Sequence, residues 1–215
     1  MNTPESIKRA YDKAAAKYAA EFWNEPDRKH FDRVMLDWLA GQLAGDETVL
    51  EIGCGPGQIS GYLSRQGVTC VATDISCQII EYGKRYFPDV RFEVQDFFDL
   101  KYEDGSFGAV LAFYAIVNLP LGEAKGVFEE VRRVLRKDGL FLCAFHILEQ
   151  DEKLEVTEFF GEKVDALTFY FHDVDDMKRL VESLGFRVVD ILIRYPYPGA
   201  EHPSKRSYFI LRKAG

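Results

Sequence analysis

The sequence predicts an α/β fold built on a doubly wound, mostly parallel sheet of seven strands. Short apolar segments alternate with amphipathic segments from residue 48 to the end of the chain, a pattern typical of a parallel sheet covered by helices on both faces. The first apolar segment ends in three alternating glycines, which is typical of a turn that approaches a ligand closely. The last two segments are joined by a short Pro- and Gly-containing connection without a helix, so the final strand should be antiparallel.

The apolar segments locate the individual elements. We expect strands near residues 48–52, 68–73, 90–95, 107–113, 139–145, 186–195 and 206–212. We expect helices near residues 57–66, 76–86, 123–136 and 174–184. The helix at 123–136 carries Val127, Phe128 and Val131 at three-to-four spacing, and this apolar stripe should pack on the sheet.

Residues 1–45 precede the first strand and are expected to form two helices. Thr3 and Pro4 open the first helix, and Pro26 opens the second. One face of the second helix should be buried through Phe31, Val34, Met35, Trp38, Leu39 and Leu43. We interpret residues 1–45 as an N-terminal helical lid on a core that comprises residues 46–215.

Residues 146–173 form a long insertion between a strand and its following helix. Thr168–His172 could add a strand there. Insertions of this length are usually functional, so we expect a substrate cap in this segment.

Composition excludes several classes of protein. The 215 residues suit one α/β domain, and their net charge of −8 argues against a nucleic-acid partner. No run of about eighteen apolar residues could span a membrane, and the N-terminus lacks the features of a signal peptide, so we expect a cytoplasmic protein without a membrane partner. The four cysteines contain no C-x-x-C pair, which disfavours disulfides and a metal site.

The glycine turn has the spacing E-x-G-x-G-x-G. A dinucleotide turn requires G-x-G-x-x-G, and counted from Gly53 the third glycine would fall on Gln58. The turn resembles the first motif of the class I S-adenosylmethionine-dependent methyltransferases. This resemblance implies a Rossmann-like methyltransferase fold and S-adenosyl-L-methionine as the cofactor. The cofactor-binding residues that it implies in this turn are Glu51, Gly53, Cys54, Gly55 and Gly57.

Ligands of doubly wound sheets bind at the carboxyl ends of the strands, so the residues that follow the next strands are further candidates. Asp74 and Ile75 follow the second strand, and the Asp74 carboxylate could accept hydrogen bonds from both ribose hydroxyls. The alternative is that Asp74 caps the next helix. Asp96 and Phe97 follow the third strand and could contact the adenine.

The fourth strand ends at Phe113, whose carbonyl should face the ammonium group of the cofactor. Tyr114 adds an aromatic wall suited to a sulfonium. Many relatives carry histidine near position 118, where this chain has Asn118, so a general base at that position is not expected.

The segment around Tyr11 and Tyr18 resembles the lid helix of small-molecule methyltransferases in this class. The two tyrosines are seven residues apart and therefore share a helix face, from which they could close over the cofactor and donate to its carboxylate. The alternative is a stripe that packs on the second helix.

Methyl transfer from a sulfonium is an in-line displacement, so the protein mainly aligns the acceptor and excludes water. His146 follows the fifth strand and is the best-placed candidate base, with Tyr114 as the second candidate catalytic residue and His172 ranked behind His146. A structural histidine is the alternative reading of His146. The charged segment Glu201–Tyr208 resembles the ending of a set of little-characterised bacterial proteins and is interpreted as a hairpin loop with solvated charges.

We therefore expect an S-adenosylmethionine-dependent methyltransferase that acts on a small organic acceptor, as a monomer or homodimer. Two alternatives are a non-catalytic S-adenosylmethionine-binding module, which would have a closed acceptor pocket, and an NAD-dependent oxidoreductase. The glycine spacing disfavours the oxidoreductase.

Overall fold

A computed structural model describes residues 2–147, 149 and 152–215. The strands in this part of the chain are β1 (Thr48–Ile52), β2 (Thr69–Asp74), β3 (Arg91–Val94), β4 (Phe107–Phe113), β5 (Leu135–His146), β6 (Lys153–Phe159), β7 (Glu162–Tyr170), β8 (Phe186–Arg194) and β9 (Arg206–Lys213). Seven of them form one sheet in the order β3-β2-β1-β4-β5-β9-β8, and β6 pairs with β7 in a separate hairpin.

The directions of the strands confirm the predicted fold class. Strands β1 to β5 are mutually parallel, whereas β9 is antiparallel to both of its neighbours, β5 and β8. The chain moves outward from β1 through β2 to β3, then returns to β4 on the other side of β1. This reversal of strand order opens a crevice at the carboxyl ends of β1 and β4, where doubly wound sheets bind ligands.

The helices are α1 (Pro4–Phe22), α2 (Glu25–Arg28), α3 (His30–Ala40), α4 (Gln58–Ser64), α5 (Cys77–Tyr86), α6 (Leu121–Val134) and α7 (Val174–Ser183). Two apolar clusters cover the two faces of the sheet. One contains Phe128 of α6 and Met177 of α7, and the other contains Leu36 of α3, Ile59 of α4 and Ile80 of α5. The apolar stripe predicted on the helix near 123–136 is buried, and the structure starts and ends that helix two residues earlier.

The N-terminal region differs from the two predicted helices, because a break at Lys29 separates α2 from α3. The Lys29 backbone is not helical (φ −122°, ψ 77°), and its side chain is buried. After the break, α3 turns Met35 and Leu39 towards the sheet and leaves Val34 59% exposed. The expectation that Val34 lies on the buried face is therefore wrong.

The insertion predicted at 146–173 contains the antiparallel hairpin of β6 and β7. The sequence indicated an extra strand over 168–172. The structure places only residues 168–170 in β7, which starts at Glu162, and the partner strand β6 was not predicted. Residues 148, 150 and 151 of the insertion and residue 1 of the N-terminal region lie outside the described residues. Among the helices that the structure describes, none has both the length and the apolarity needed to cross a membrane.

Candidate functional site

Two adjoining cavities lie at the carboxyl edge of the sheet. The first has a volume of about 780 Å³ and the second about 1110 Å³, and both are partly open to solvent. The cavities share the lining residues Tyr11, Tyr18, Gly53, Gly55, Phe113 and Tyr114. The structure thus brings together the ends of β1 and β4 and the tyrosines of α1, and their role in binding a cofactor stays a prediction.

The glycine turn lies where the two cavities adjoin, and its residues Gly53 and Gly55 line both of them. Gly53 has a φ of +56°, and a Cβ atom there would lie 2.7 Å from the Cβ of Ala115, which follows β4. A side chain would therefore fill the passage between the strand ends. Gly57 lines neither cavity; its φ is +77°, and its Cα packs against the ring of Phe92. Gly57 thus contacts the buried ring of Phe92 and neither cavity.

Asp74 lies at the end of β2 and lines the first cavity. Its two carboxylate oxygens accept hydrogen bonds from the backbone N–H groups of Gly55 (3.0 Å) and Ser76 (2.9 Å). Burial raises the pKa of Asp74 to about 6, although these hydrogen bonds oppose the shift. Since each carboxylate oxygen has two acceptor sites, acceptor capacity remains on both oxygens. The cap of α5 is Ser76, whose Oγ accepts from the N–H of Ile79, so the alternative reading of Asp74 as that cap is not supported.

Glu51 is buried behind the turn and lines neither cavity. Its Oε2 accepts hydrogen bonds from the backbone N–H (2.9 Å) and the Oγ (2.5 Å) of Ser60. Burial raises the pKa of this carboxyl to about 8, against the effect of the bonds from Ser60. The structure therefore places Glu51 in a supporting position that joins β1 to α4, and not in direct contact with a ligand in either cavity.

The raised pKa of Glu51 predicts a pH-dependent contribution to stability. The folded state keeps this proton up to about pH 8, whereas the unfolded chain releases it near its ordinary value of 4.5, so stability should fall as pH rises between these values. We expect the free energy of unfolding of the wild type to fall, relative to Glu51→Gln, by about 1 kcal/mol or more over this range. Urea denaturation across the range measures the difference. The exposed Glu129→Gln is the control, and parallel curves for the wild type and Glu51→Gln would contradict this role.

The first cavity is also lined by the predicted site residues that follow β2 and β3. Ile75, Asp96 and Phe97 all line it. Asp96 accepts through Oδ1 from the N–H of Phe98 (2.9 Å), which leaves its second oxygen without a protein partner among the described hydrogen bonds. Asp96 and Phe97 thus line the same cavity, and their contact with an adenine stays a prediction.

Helix α1 covers the place where the cavities meet. The Tyr11 hydroxyl donates to Oδ1 of Asn118 (3.0 Å), and the rings of Tyr11 and Tyr18 are 5.4 Å apart in an edge arrangement. Burial raises the pKa of both phenols, so both remain neutral donors. The alternative of a stripe packed on the second helix is not observed, because the two rings contact Phe159 of β6.

Side-chain hydrogen bonds fasten α1 on two sides. Asn2 donates to the carbonyls of Asn118 (2.8 Å) and Thr168 (2.7 Å) and accepts from the N–H of Thr168 (3.0 Å). On the other side, Asp12 accepts from the Oγ of Ser76 (2.6 Å) at the start of α5. The helix is therefore held across the crevice between the hairpin and the sheet.

The second cavity has one aromatic half and one charged half. The aromatic half is lined by Phe22, Phe159, Phe160 and Phe169, whose rings contact one another, whereas Phe171 lies beside His146 and His202. The charged half is lined by Glu25, Lys29, His146, Glu201, His202 and Arg206. Besides the residues that both cavities share, two predicted site residues line the second cavity. Cys54 lies at the glycine turn, and His146 lies in the charged half. His172 is buried but lines neither cavity.

Glu201 joins the charges of the second cavity into one network. Its carboxylate receives two hydrogen bonds from Arg194 (both 2.6 Å) and lies 3.0 Å from Nζ of Lys29 and 3.1 Å from Nε of Arg206. Burial alone would raise the pKa of Glu201, but the bonds from Arg194 and the charge of Lys29 hold it at about 2. Lys29 is also paired with Glu25, at 2.5 Å.

The sequence interpretation of Glu201–Tyr208 as a loop with solvated charges is therefore wrong. The Glu201 side chain is 1% exposed, and Arg206 is buried as well. The available signal was that Arg206 opens a predicted strand, where an arginine must find a partner or leave the sheet. Sequence reasoning also missed Glu25 and Lys29, because nothing in their local pattern places them beside the end of β9.

His146 lies at the end of β5 with its Nδ1 2.8 Å from the Oγ of Ser204. Burial and the positive charge of Arg206 lower its pKa to about 3, so the imidazole is neutral near pH 7. Its ring centroid is 5.1 Å from that of Tyr114.

Tyr114 stands between the two cavities in a left-handed conformation (φ +58°) that is unusual for a residue with a side chain. Its hydroxyl is 3.1 Å from that of Tyr208, and Nζ of Lys29 lies 4.8 Å from its ring centroid. Burial raises the pKa of Tyr114 to about 12. With its hydroxyl bonded in this way, Tyr114 is placed as an aromatic wall and not as a proton donor to the cavities.

The chain is similar in sequence and in fold to known proteins. Residues 49–139 match the family described as methyltransferase domain. The demethylmenaquinone methyltransferase of Renibacterium salmoninarum is 28% identical over 143 residues, which are 66% of this chain and 59% of that protein. The chain thus spans somewhat more than half the length of the curated relatives that it matches first.

Two solved structures have a similar fold. The magnesium protoporphyrin IX methyltransferase of Synechocystis PCC 6803, with bound S-adenosylmethionine, superimposes with a TM-score of 0.74 at 14% identity and covers 100% of this chain and 98% of its own. The [4+2]-cyclase SpnF superimposes with a TM-score of 0.75 at 15% identity, covering 99% and 97% of the two chains. The family match, the reversed last strand and the glycine turn lead to one conclusion: residues 49–139 are similar to a methyltransferase domain, and the sheet that contains them has the fold of the Synechocystis methyltransferase.

Proposed function

We propose that this protein binds S-adenosyl-L-methionine in the first cavity and transfers its methyl group to a small organic acceptor in the second. The observation that supports this most strongly is the meeting of the two cavities at Gly53 and Tyr114. A donor in one cavity would face an acceptor in the other at that point. In-line displacement requires this arrangement.

The residues of the first cavity fit the donor. Asp74 would hold the ribose hydroxyls, Asp96 and Phe97 would hold the adenine, and the backbone of Gly53, which carries no side chain, would face the amino-acid part. The bound cofactor supplies an activated methyl group on a sulfonium, which the ring of Tyr114 would face.

We further propose that residues 1–45 act as a lid and residues 146–173 as a substrate cap on the core of residues 46–215. Helix α1 and the hairpin meet through Tyr11 and Phe159 over the junction of the cavities. Their contact would exclude water during transfer and keep the acceptor within about 3–3.5 Å of the methyl carbon.

The second cavity supports an acceptor with a flat or apolar body and one polar end. Its aromatic half would pack on the body, and its charged half would bond the polar end. The acceptors named for the relatives from Renibacterium and Synechocystis differ from each other, so the acceptor of this chain is not inferred from them.

The fold by itself does not carry the proposal, because a [4+2]-cyclase shares it. The two alternatives are opposed by particular features of the chain. Gln58 occupies the position where a dinucleotide turn requires glycine, and it begins α4. A non-catalytic module would have a closed acceptor pocket, whereas the second cavity is partly open to solvent and adjoins the first.

Two measurements test the proposal. Calorimetry with S-adenosylhomocysteine and with NAD should show binding of the former and none of the latter, and binding of NAD alone would refute the cofactor assignment. Incubation with methyl-labelled cofactor and a small-molecule cell extract should then yield a labelled product. Cofactor binding without any labelled product would instead favour the non-catalytic module.

A further inference from the structure

A chain of hydrogen-bonding groups leads from His146 through a buried hydroxyl to His202, an exposed residue that also lines the second cavity. His146 lines the cavity, and its Nδ1 is 2.8 Å from the Oγ of Ser204. The same Oγ is 3.2 Å from Nδ1 of His202. Ser204 is buried, at 8% exposure, whereas His202 is exposed. A buried hydroxyl between two imidazoles can accept a proton from one and donate its own to the other.

We propose that His146, Ser204 and His202 form a proton relay that removes the proton of the methyl acceptor from the second cavity to solvent. His146 would be the catalytic residue that touches the acceptor, while Ser204 and His202 would act through it. This inference rests on the proposed methyl transfer and deepens it, because the relay suits an acceptor whose nucleophile is an O–H or N–H group.

The surroundings of His146 favour a relay over a base that stores the proton. Three positive or potentially positive groups face it, Arg206, His202 and Lys29, against the single carboxylate of Glu201. These charges and the burial of the ring hold the pKa of His146 at about 3, so an imidazolium there would be costly. An imidazole that accepts a proton on Nε2 while it releases one from Nδ1 never needs to carry that charge.

The step balances as follows. The lone pair of the acceptor oxygen or nitrogen forms the new bond to the methyl carbon, and the electron pair of the broken C–S bond stays on sulfur. The acceptor proton passes to Nε2 of His146, whose Nδ1 proton passes to Ser204. The hydroxyl proton of Ser204 passes to Nδ1 of His202, which releases a proton from Nε2 to water.

The direction of the relay requires a specific tautomer, which can be measured without a ligand. Nitrogen-15 spectra of the histidine rings near pH 7.5 should show His146 protonated on Nδ1, the tautomer that a solvated imidazole disfavours. Variants His146→Gln and His202→Gln assign the signals. Ser204→Ala should move His146 towards the Nε2-protonated tautomer, while Ser204→Thr, which keeps the hydroxyl, should preserve the wild-type spectrum. A His146 ring protonated on Nε2 in the wild type would overturn the relay.

Activity provides the second readout. With methyl-labelled cofactor and the small-molecule cell extract, Ser204→Ala should label product roughly 100-fold more slowly than the wild type, and Ser204→Thr should retain most of the rate. Equal rates for Ser204→Ala and the wild type would refute the relay. Binding of S-adenosylhomocysteine should be unchanged in both variants. If the wild type neither binds it nor labels a product, the proposed function fails, and the tautomer measurement still decides whether the hydrogen-bond chain runs in the proposed direction.

Discussion

Replacement of Asp74 by alanine is expected to weaken the binding of S-adenosylhomocysteine by about 1–3 kcal/mol, or roughly 5- to 150-fold in Kd. The ribose hydroxyls would lose the carboxylate that accepts hydrogen bonds from both of them. The turn would also lose the hydrogen bond between Asp74 and the N–H of Gly55, which fixes the backbone in front of the cavity. Calorimetry at about pH 8, where the Asp74 carboxyl is ionised, measures the effect.

The exposed Asp89→Ala removes an equal charge and is the matched control, with no change in affinity expected. The pKa of Asp74, about 6, adds a second check. Below that value the carboxyl is protonated and loses acceptor capacity, so the affinity of the wild type should fall as pH drops through 6, whereas that of Asp74→Asn should not follow this titration. Wild-type affinity in Asp74→Ala would refute the ribose assignment.

Replacement of Gly53 by alanine is expected to impair both stability and cofactor binding. A side chain at a φ of +56° costs about 1–2 kcal/mol in the free energy of unfolding. The added Cβ would also lie 2.7 Å from the Cβ of Ala115, so the segment after β4 must move away from the end of β1. Because that segment lines the first cavity, we expect affinity for S-adenosylhomocysteine to fall by at least about 1.4 kcal/mol, roughly tenfold.

Gly67 offers a control for the backbone effect. It has a φ of +85°, and a Cβ there would meet no atom within 4 Å. Gly67→Ala should therefore lose stability by a similar amount and bind S-adenosylhomocysteine as the wild type does. Urea denaturation and calorimetry on both variants separate the two effects. Equal affinities for Gly53→Ala and Gly67→Ala would mean that Gly53 does not face the ligand.

The strands of the central sheet could be predicted because their apolar segments are short, buried and separated by turn residues. The β1 strand and its glycine turn were predicted within a residue, as was the reversed β9. The break at Lys29 was not predicted, and one of the two carboxylates that pair with the Lys29 side chain there, Glu201, lies far along the chain. Local periodicity contains no information about such a partner.

The sequence predicted which residues at the strand ends lie together, but it missed residues of the second cavity that come from other segments. Gly53, Asp74 and Phe97 lie at the cavities because parallel strands bring their carboxyl ends to one edge. Glu51 belongs to the same motif, yet its side chain points behind the turn to Ser60. The motif identifies which residues occur together but not which of them faces the ligand.

The sequence alone therefore determined the α/β class and the position of the glycine turn. It also indicated the kind of cofactor, through the motif that the turn resembles, because all of these depend on residues close together in the chain. Only the tertiary structure decided what lies around the second cavity. Lys29, His146 and Glu201 come from segments more than fifty residues apart, and their burial, pairing and protonation arise from contacts made when β9 pairs with β5. Desolvation and ion pairing act through space, so they set the chemistry of this cavity only in the folded chain.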